Sequence, residues 1–83
     1  MNFYTARVYF NYTAVAFFVI FAEDESQALD LLRKDIDEHG DEHFEDSFYA
    51  PDSDGVDPQD IKLVGPKAGV SQSSVTYVGW AGD

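Results

Sequence analysis

From Phe3 to Phe10 the side chains alternate, with Tyr4, Ala6, Val8 and Phe10 on one face and Phe3, Thr5, Arg7 and Tyr9 on the other. A period of two predicts a half-buried strand. Asn11 and Tyr12 offer the turn that follows, because Asn tolerates left-handed backbone. Ala14 to Ala22 is apolar on both faces, Val15, Phe17, Val19 and Phe21 opposing Ala16, Phe18 and Ile20. Such a run predicts a central strand covered on both sides, and a second copy of the chain is a candidate for the outer cover.

At Asp24 the period changes to that of a helix. Asp24 is placed to cap it, Gln27 stands where a capping box needs it, and Glu23 and Glu25 suit the positive helix start. Ala28, Leu29, Leu32 and Ile36 form the buried stripe, with Leu31 at its margin, and the helix is expected to run to about His39, where Gly40 provides a stop. Residues 41 to 60 are polar and acidic, punctuated by Pro51, Gly55 and Pro58. Phe44, Phe48 and Tyr49 recur at helical spacing, so a short helical turn from about Glu42 to Tyr49 should pin this connection to the core. Asp52 to Asp57 should then form an exposed turn. Ile61 to Val64 reads as a third strand ended by Gly65-Pro66, and Ser74 to Trp80 as a fourth. The expectation is a single α+β domain over residues 1–83, with about four antiparallel strands in the order β-β-α-β-β and one helix packed on a face.

Composition narrows the function classes. A chain of 83 residues has room for one modest core, burying roughly 60 to 65 % of its unfolded surface, and a deep catalytic cleft is hard to build within it. Seven Phe, five Tyr and one Trp nevertheless make that core dense. Without cysteine there is no disulfide framework, thiolate zinc site or cysteine nucleophile, which points to a reducing cytoplasm. Thr13 to Ala22 has the apolarity of a signal-peptide core. Only Arg7 supplies positive charge before it, however, and about ten residues are far short of the roughly 20 that span a bilayer. Outside a secretory route the Asn11-Tyr12-Thr13 sequon has no consequence.

Charge is segregated. Residues 23–60 hold fifteen acids against Arg33 and Lys34, a balance of −13, while the flanks hold three bases against Asp83, a balance of +2, which together give the net −11. That field repels nucleic acid and anionic membranes and attracts basic surfaces.

Candidates for site chemistry are weak. Asp52-Ser53-Asp54-Gly55-Val56-Asp57 resembles a calcium loop, but its glycine is out of register and no bidentate Glu follows at the required distance. His39 and His43 stand four apart with Glu42 and Asp46 nearby, yet Gly40 interrupts the helix that would align them on a metal. Ser71, Ser73 and Ser74 have no histidine base or nucleophile elbow. The sequence therefore implies no catalytic residue, no metal and no cofactor. What remains is the acidic block, where carboxylates at i, i+4 spacing lie about 6 Å apart and can imitate part of a phosphate backbone.

The strand pair followed by Phe21-Ala22-Glu23-Asp24-Glu25-Ser26-Gln27-Ala28-Leu29 resembles the strand-to-helix junction of small phage and mobile-element proteins. In size, acidity and layout over about residues 3 to 39 the chain resembles anti-CRISPR proteins. The resemblance implies a stoichiometric inhibitor acting in the host cytoplasm, whose acidic surface occupies a basic nucleic-acid-binding site of a bacterial defence complex. The partner would be a CRISPR effector subunit or another nucleic-acid-binding protein, with no direct binding to nucleic acid or membrane. From the charge map, Asp30, Asp37, Glu38, Asp41, Glu42, Glu45 and Asp46 are the expected partner-binding groups, with Asp52, Asp54 and Asp57 as a second patch. Two other readings fit the residues: an immunity or antitoxin-like plug of a basic toxin active site, and a structural or regulatory phage protein that self-associates through its aromatic sheet.

Overall fold

A computed structural model describes residues 1–10, 13–44 and 51–82. The elements run β1 (Asn2–Phe10), β2 (Ala14–Ala22), α1 (Glu25–His43), single 3-10 turns at Ser53–Gly55 and Pro58–Asp60, β3 (Ile61–Pro66) and β4 (Ser74–Ala81). All strand pairs are antiparallel and the order across the sheet is β3-β1-β2-β4. The result is the small α+β domain that the hydrophobic pattern predicts, a four-stranded sheet with one helix packed on it. The β1–β2 hairpin forms the centre, and the two strands that follow the helix are added at opposite edges.

The alternation in β1 is realised as written. Tyr4, Ala6, Val8 and Phe10 are buried, as are Ala14, Ala16, Phe18, Ile20 and Ala22 from β2, because these residues share the face that α1 covers with Ala28, Leu32 and Ile36. Phe18, Ile20 and Leu32 are among the most deeply buried large side chains, and each contributes about 1.5–3 kcal/mol by leaving water. The small residues Ala16, Ala22 and Ala28, none of them exposed at all, allow helix and sheet to approach closely. Phe44, Val56 and Ile61 complete this core.

Asp24 caps α1, its Oδ1 accepting from the Gln27 N–H at 2.8 Å. The return bond of the expected box is shifted by one residue, Gln27 Oε1 accepting from the Glu23 N–H. Gln27 also donates from Nε2 to Ser73 Oγ at 3.4 Å, which ties the helix start to the approach to β4.

The far end of the helix departs from expectation. Gly40 does not stop α1; it lies inside the helix on the buried face, and the chain stays helical to His43, with the Phe44 N–H donating to the Gly40 carbonyl at 2.9 Å. The reason is tertiary. Phe44, 2 % exposed, is drawn into the core against Phe10 and Tyr77, and continuing the helix delivers it there. The proposed separate turn from Glu42 is thereby corrected at its start, since Glu42 and His43 belong to α1. Phe48 and Tyr49 lie outside the described residues.

Both edge strands carry the same irregularity. Val64, between Leu63 and Gly65, and Val78, between Tyr77 and Gly79, are extra residues where the registers with β1 and β2 shift. A bulge twists an exposed edge and discourages pairing with another chain's strand. Val64 and Val78 are 60 % and 64 % exposed, so the bulges hold them out of the core.

Candidate protein-binding surface

The outer side of α1 carries the acids. Asp30, Asp37, Glu38, Asp41 and Glu42 are all exposed. Because the helix passes through Gly40, Asp37 and Asp41 stand one turn apart, as do Glu38 and Glu42, so four carboxylates occupy a single patch. Two cationic or titratable groups interrupt it. Lys34 Nζ lies 4.0 Å from Glu38, and His39 lies 3.9 Å from Glu38 and 3.8 Å from Glu42. With Lys34 and Glu38 side chains 71 % and 54 % exposed, water screens this pair and it is worth little.

This patch is placed against the stability of its own helix. The C-terminal turn of a helix carries partial negative charge, and carboxylates there cost about 0.3–1 kcal/mol each where the dipole is unscreened. Like charges at i, i+4 add a further few tenths of a kcal/mol per pair. An arrangement that opposes local stability is the kind found where a surface serves a purpose other than folding.

The second patch is differently built. Asp52 to Asp57 is not a free exposed turn: it contains the 3-10 turn Ser53–Gly55, and Ser53 and the capping Val56 that follows the turn are 9 % and 2 % exposed. Burial of Val56 pins it, and Arg33 Nη2 donates to the Val56 carbonyl at 3.0 Å, holding the turn against α1. Asp52 accepts from the Asp54 N–H at 3.2 Å, and Asp57 accepts from the Gln59 N–H at 3.1 Å and from Gln59 Nε2 at 3.0 Å. Asp52 and Asp57 are therefore capping groups, while Asp54 makes no such bond among the described residues. Asp54 is exposed on a turn that Arg33 holds against α1. Glu45 and Asp46 lie outside the described residues.

The histidines do not form a pair on one metal. His43 Nε2 lies 3.0 Å from Asp35 Oδ2, and its ring stacks on Tyr77 with centroids 4.3 Å apart. His39 turns toward Glu38 and Glu42 instead. Asp35, His43 and Tyr77 form a half-buried cluster joining the end of α1 to β4, which the sequence pattern did not reveal because the partner ring comes from another element. Burial raises the Tyr77 phenol above its ordinary value of 10.0. Among the described residues no group of three His, Cys, Asp or Glu is arranged to hold a metal ion, the calcium-like turn included.

On the other side of the sheet, Thr5, Arg7 and Tyr9 of β1, Lys62 of β3 and the nearby Gln59 and Asp60 line an open recess of about 300 Å³. Among the described residues no helix is long and apolar enough to cross a membrane. Comparison of the chain with protein-family models, with curated proteins and with solved structures found no match.

Proposed function

We propose that this chain is a stoichiometric inhibitor whose acidic helix occupies the basic nucleic-acid-binding surface of a bacterial defence complex, in the manner of an anti-CRISPR protein, within the host cytoplasm. The observation that supports this reading is the exposed patch Asp37, Glu38, Asp41 and Glu42 on the last turns of α1. These carboxylates have few counter-charges and sit where the helix gains nothing from them. Asp30 extends the patch along the helix, and Asp54 is the exposed carboxylate of the turn that Arg33 holds to α1. A rigid helix fixes the spacing of the charges before binding, so less ordering is required when a basic groove closes on them.

The test is competition. CRISPR effector complexes are loaded with guide, and their binding of labelled target DNA is measured with and without the protein over a range of salt. Inhibition should fall steeply as salt rises, because the contact is between exposed charges. The variant Asp37→Asn, Asp41→Asn, Glu42→Gln keeps side-chain size and should lose at least tenfold in inhibition while melting no lower than the parent. Inhibition that is unaltered in this variant would sink the assignment of the patch.

A further inference from the structure

The face of the sheet opposite α1 has no layer across it among the described residues, and its composition is not that of a solvated face. The registers define its grid. Phe3, Thr5, Arg7 and Tyr9 of β1 stand opposite Phe21, Val19, Phe17 and Val15 of β2. On the far side of β2, Ser74, Thr76, Gly79 and Ala81 of β4 stand opposite the same four residues. The centre is thus a row of two Phe and two Val, extended by Phe3, whose ring centroid is 5.3 Å from that of Phe21. Tyr9, 67 % exposed, continues the apolar surface at one end. An antiparallel sheet with one wet face normally carries polar residues there.

We infer that this face is covered by the same face of a second copy of the chain, giving a two-fold dimer in which two sheets stack and the helices lie outermost. Charge and area argue for this occupant. None of the four strands contains Asp or Glu, so stacking two copies through this face brings no strand carboxylates together, although each chain carries −11. The acidic helices are held on opposite outer sides, as far apart as the fold permits. Four strands about 4.8 Å apart and about eight residues long present a flat area of about 500 Å². Two copies therefore bury about 1,000 Å², the size at which a specific interface becomes credible.

The grid also has a self-complementary asymmetry. Long side chains, Arg7, Tyr9 and Lys62, lie on the β1–β3 half, and small ones, Ser74, Thr76, Gly79 and Ala81, on the β4 edge. A two-fold axis parallel to the strands, between β1 and β2, lays the long half of each copy over the apolar and small half of the other. Arg7 then meets the ring of Phe17 in the second copy, a cation–π contact, and not another Arg7. Neither Arg7 nor Lys62 has an ion-pair partner among the described residues.

Sedimentation equilibrium of the full chain over a wide concentration range tests this. The expected mass is twice the 9.3 kDa of one chain. Association should strengthen as salt rises, because the two net charges repel, which is the reverse of the dependence expected for a basic partner on the acidic helix. Thr76→Lys and Val19→Lys each place a charge in the stacked layer and should weaken the dimer at least tenfold. Thr76 is already exposed, so the fold should survive that change, as an unaltered thermal melt would show. The Asp37→Asn, Asp41→Asn, Glu42→Gln variant should dimerise at least as well as the parent, which keeps failure here distinct from failure of the inhibitor reading. A parent chain that stays monomeric throughout, or a dimer that survives both lysine substitutions, overturns the proposal. A monomer that binds lipid vesicles or a different protein through this face overturns it equally.

Discussion

Replacing Gly40 with Ala is expected to stabilise the protein. Gly40 is buried inside α1, and a Cβ added there meets only Ile36 Cγ2, at 3.9 Å, an ordinary van der Waals contact. Alanine in a helix interior is favoured over glycine by about 1 kcal/mol, since the unfolded chain loses backbone freedom while the folded helix loses nothing. In a domain of this size that corresponds to a rise of about 4–8 °C in Tm. Thermal melts of parent and variant followed by far-UV circular dichroism give the measurement. The opposite sign is just as informative. Were Gly40 a left-handed stop, alanine would be strained there and Tm would fall by a similar amount. A fall would therefore refute the continuous helix, and with it the alignment of Asp41 and Glu42 with Asp37 and Glu38 on which the acidic patch depends.

Gly82→Ala should act in the contrary direction. Gly82 has φ of 120° and a Cβ there would clash with the Thr13 carbonyl oxygen, so a loss of about 1–3 kcal/mol is expected; a melt unchanged from the parent would contradict the close approach of Gly82 to Thr13. The raised phenol of Tyr77 predicts an alkaline limb in stability. The unfolded chain releases this proton first, so the contribution is complete below pH 10 and is lost as pH rises from there through the higher folded value. Tyr77→Phe should flatten that fall in denaturant titrations at high pH, and an identical limb in the variant would count against the assignment.

Much of the framework was legible because it is local. The period-two run in β1, the central position of the apolar β2 and the Asp24 cap each depend on neighbours within a few residues, and all three appear as the pattern implies, while the second cover expected on β2 is absent among the described residues. The acidic positions on α1 were legible for the same reason, since helical spacing alone assigns Asp30, Asp37 and Glu38 to the outer side. Placing Asp41 and Glu42 on the same helix was not. Gly40 has a strong local meaning as a terminator, and only the pull of Phe44 into a core made by Phe10 and Tyr77 overrides it.

Other features have no local signature at all. His43 reads as a surface histidine until β4 brings Tyr77 beneath its ring. Val56 reads as part of a solvated acidic turn until Arg33 of the helix reaches its carbonyl and the core takes its side chain. The paired bulges at Val64 and Val78 arise where each edge strand must match the twist of a partner distant in the chain. By itself the sequence determined the elements, their capping and the segregation of charge, because these follow from periodicity and short-range hydrogen bonding. Tertiary packing alone decided where α1 ends, which carboxylates it aligns and which face of β2 the helix covers, because each is set by contacts between residues far apart in the chain.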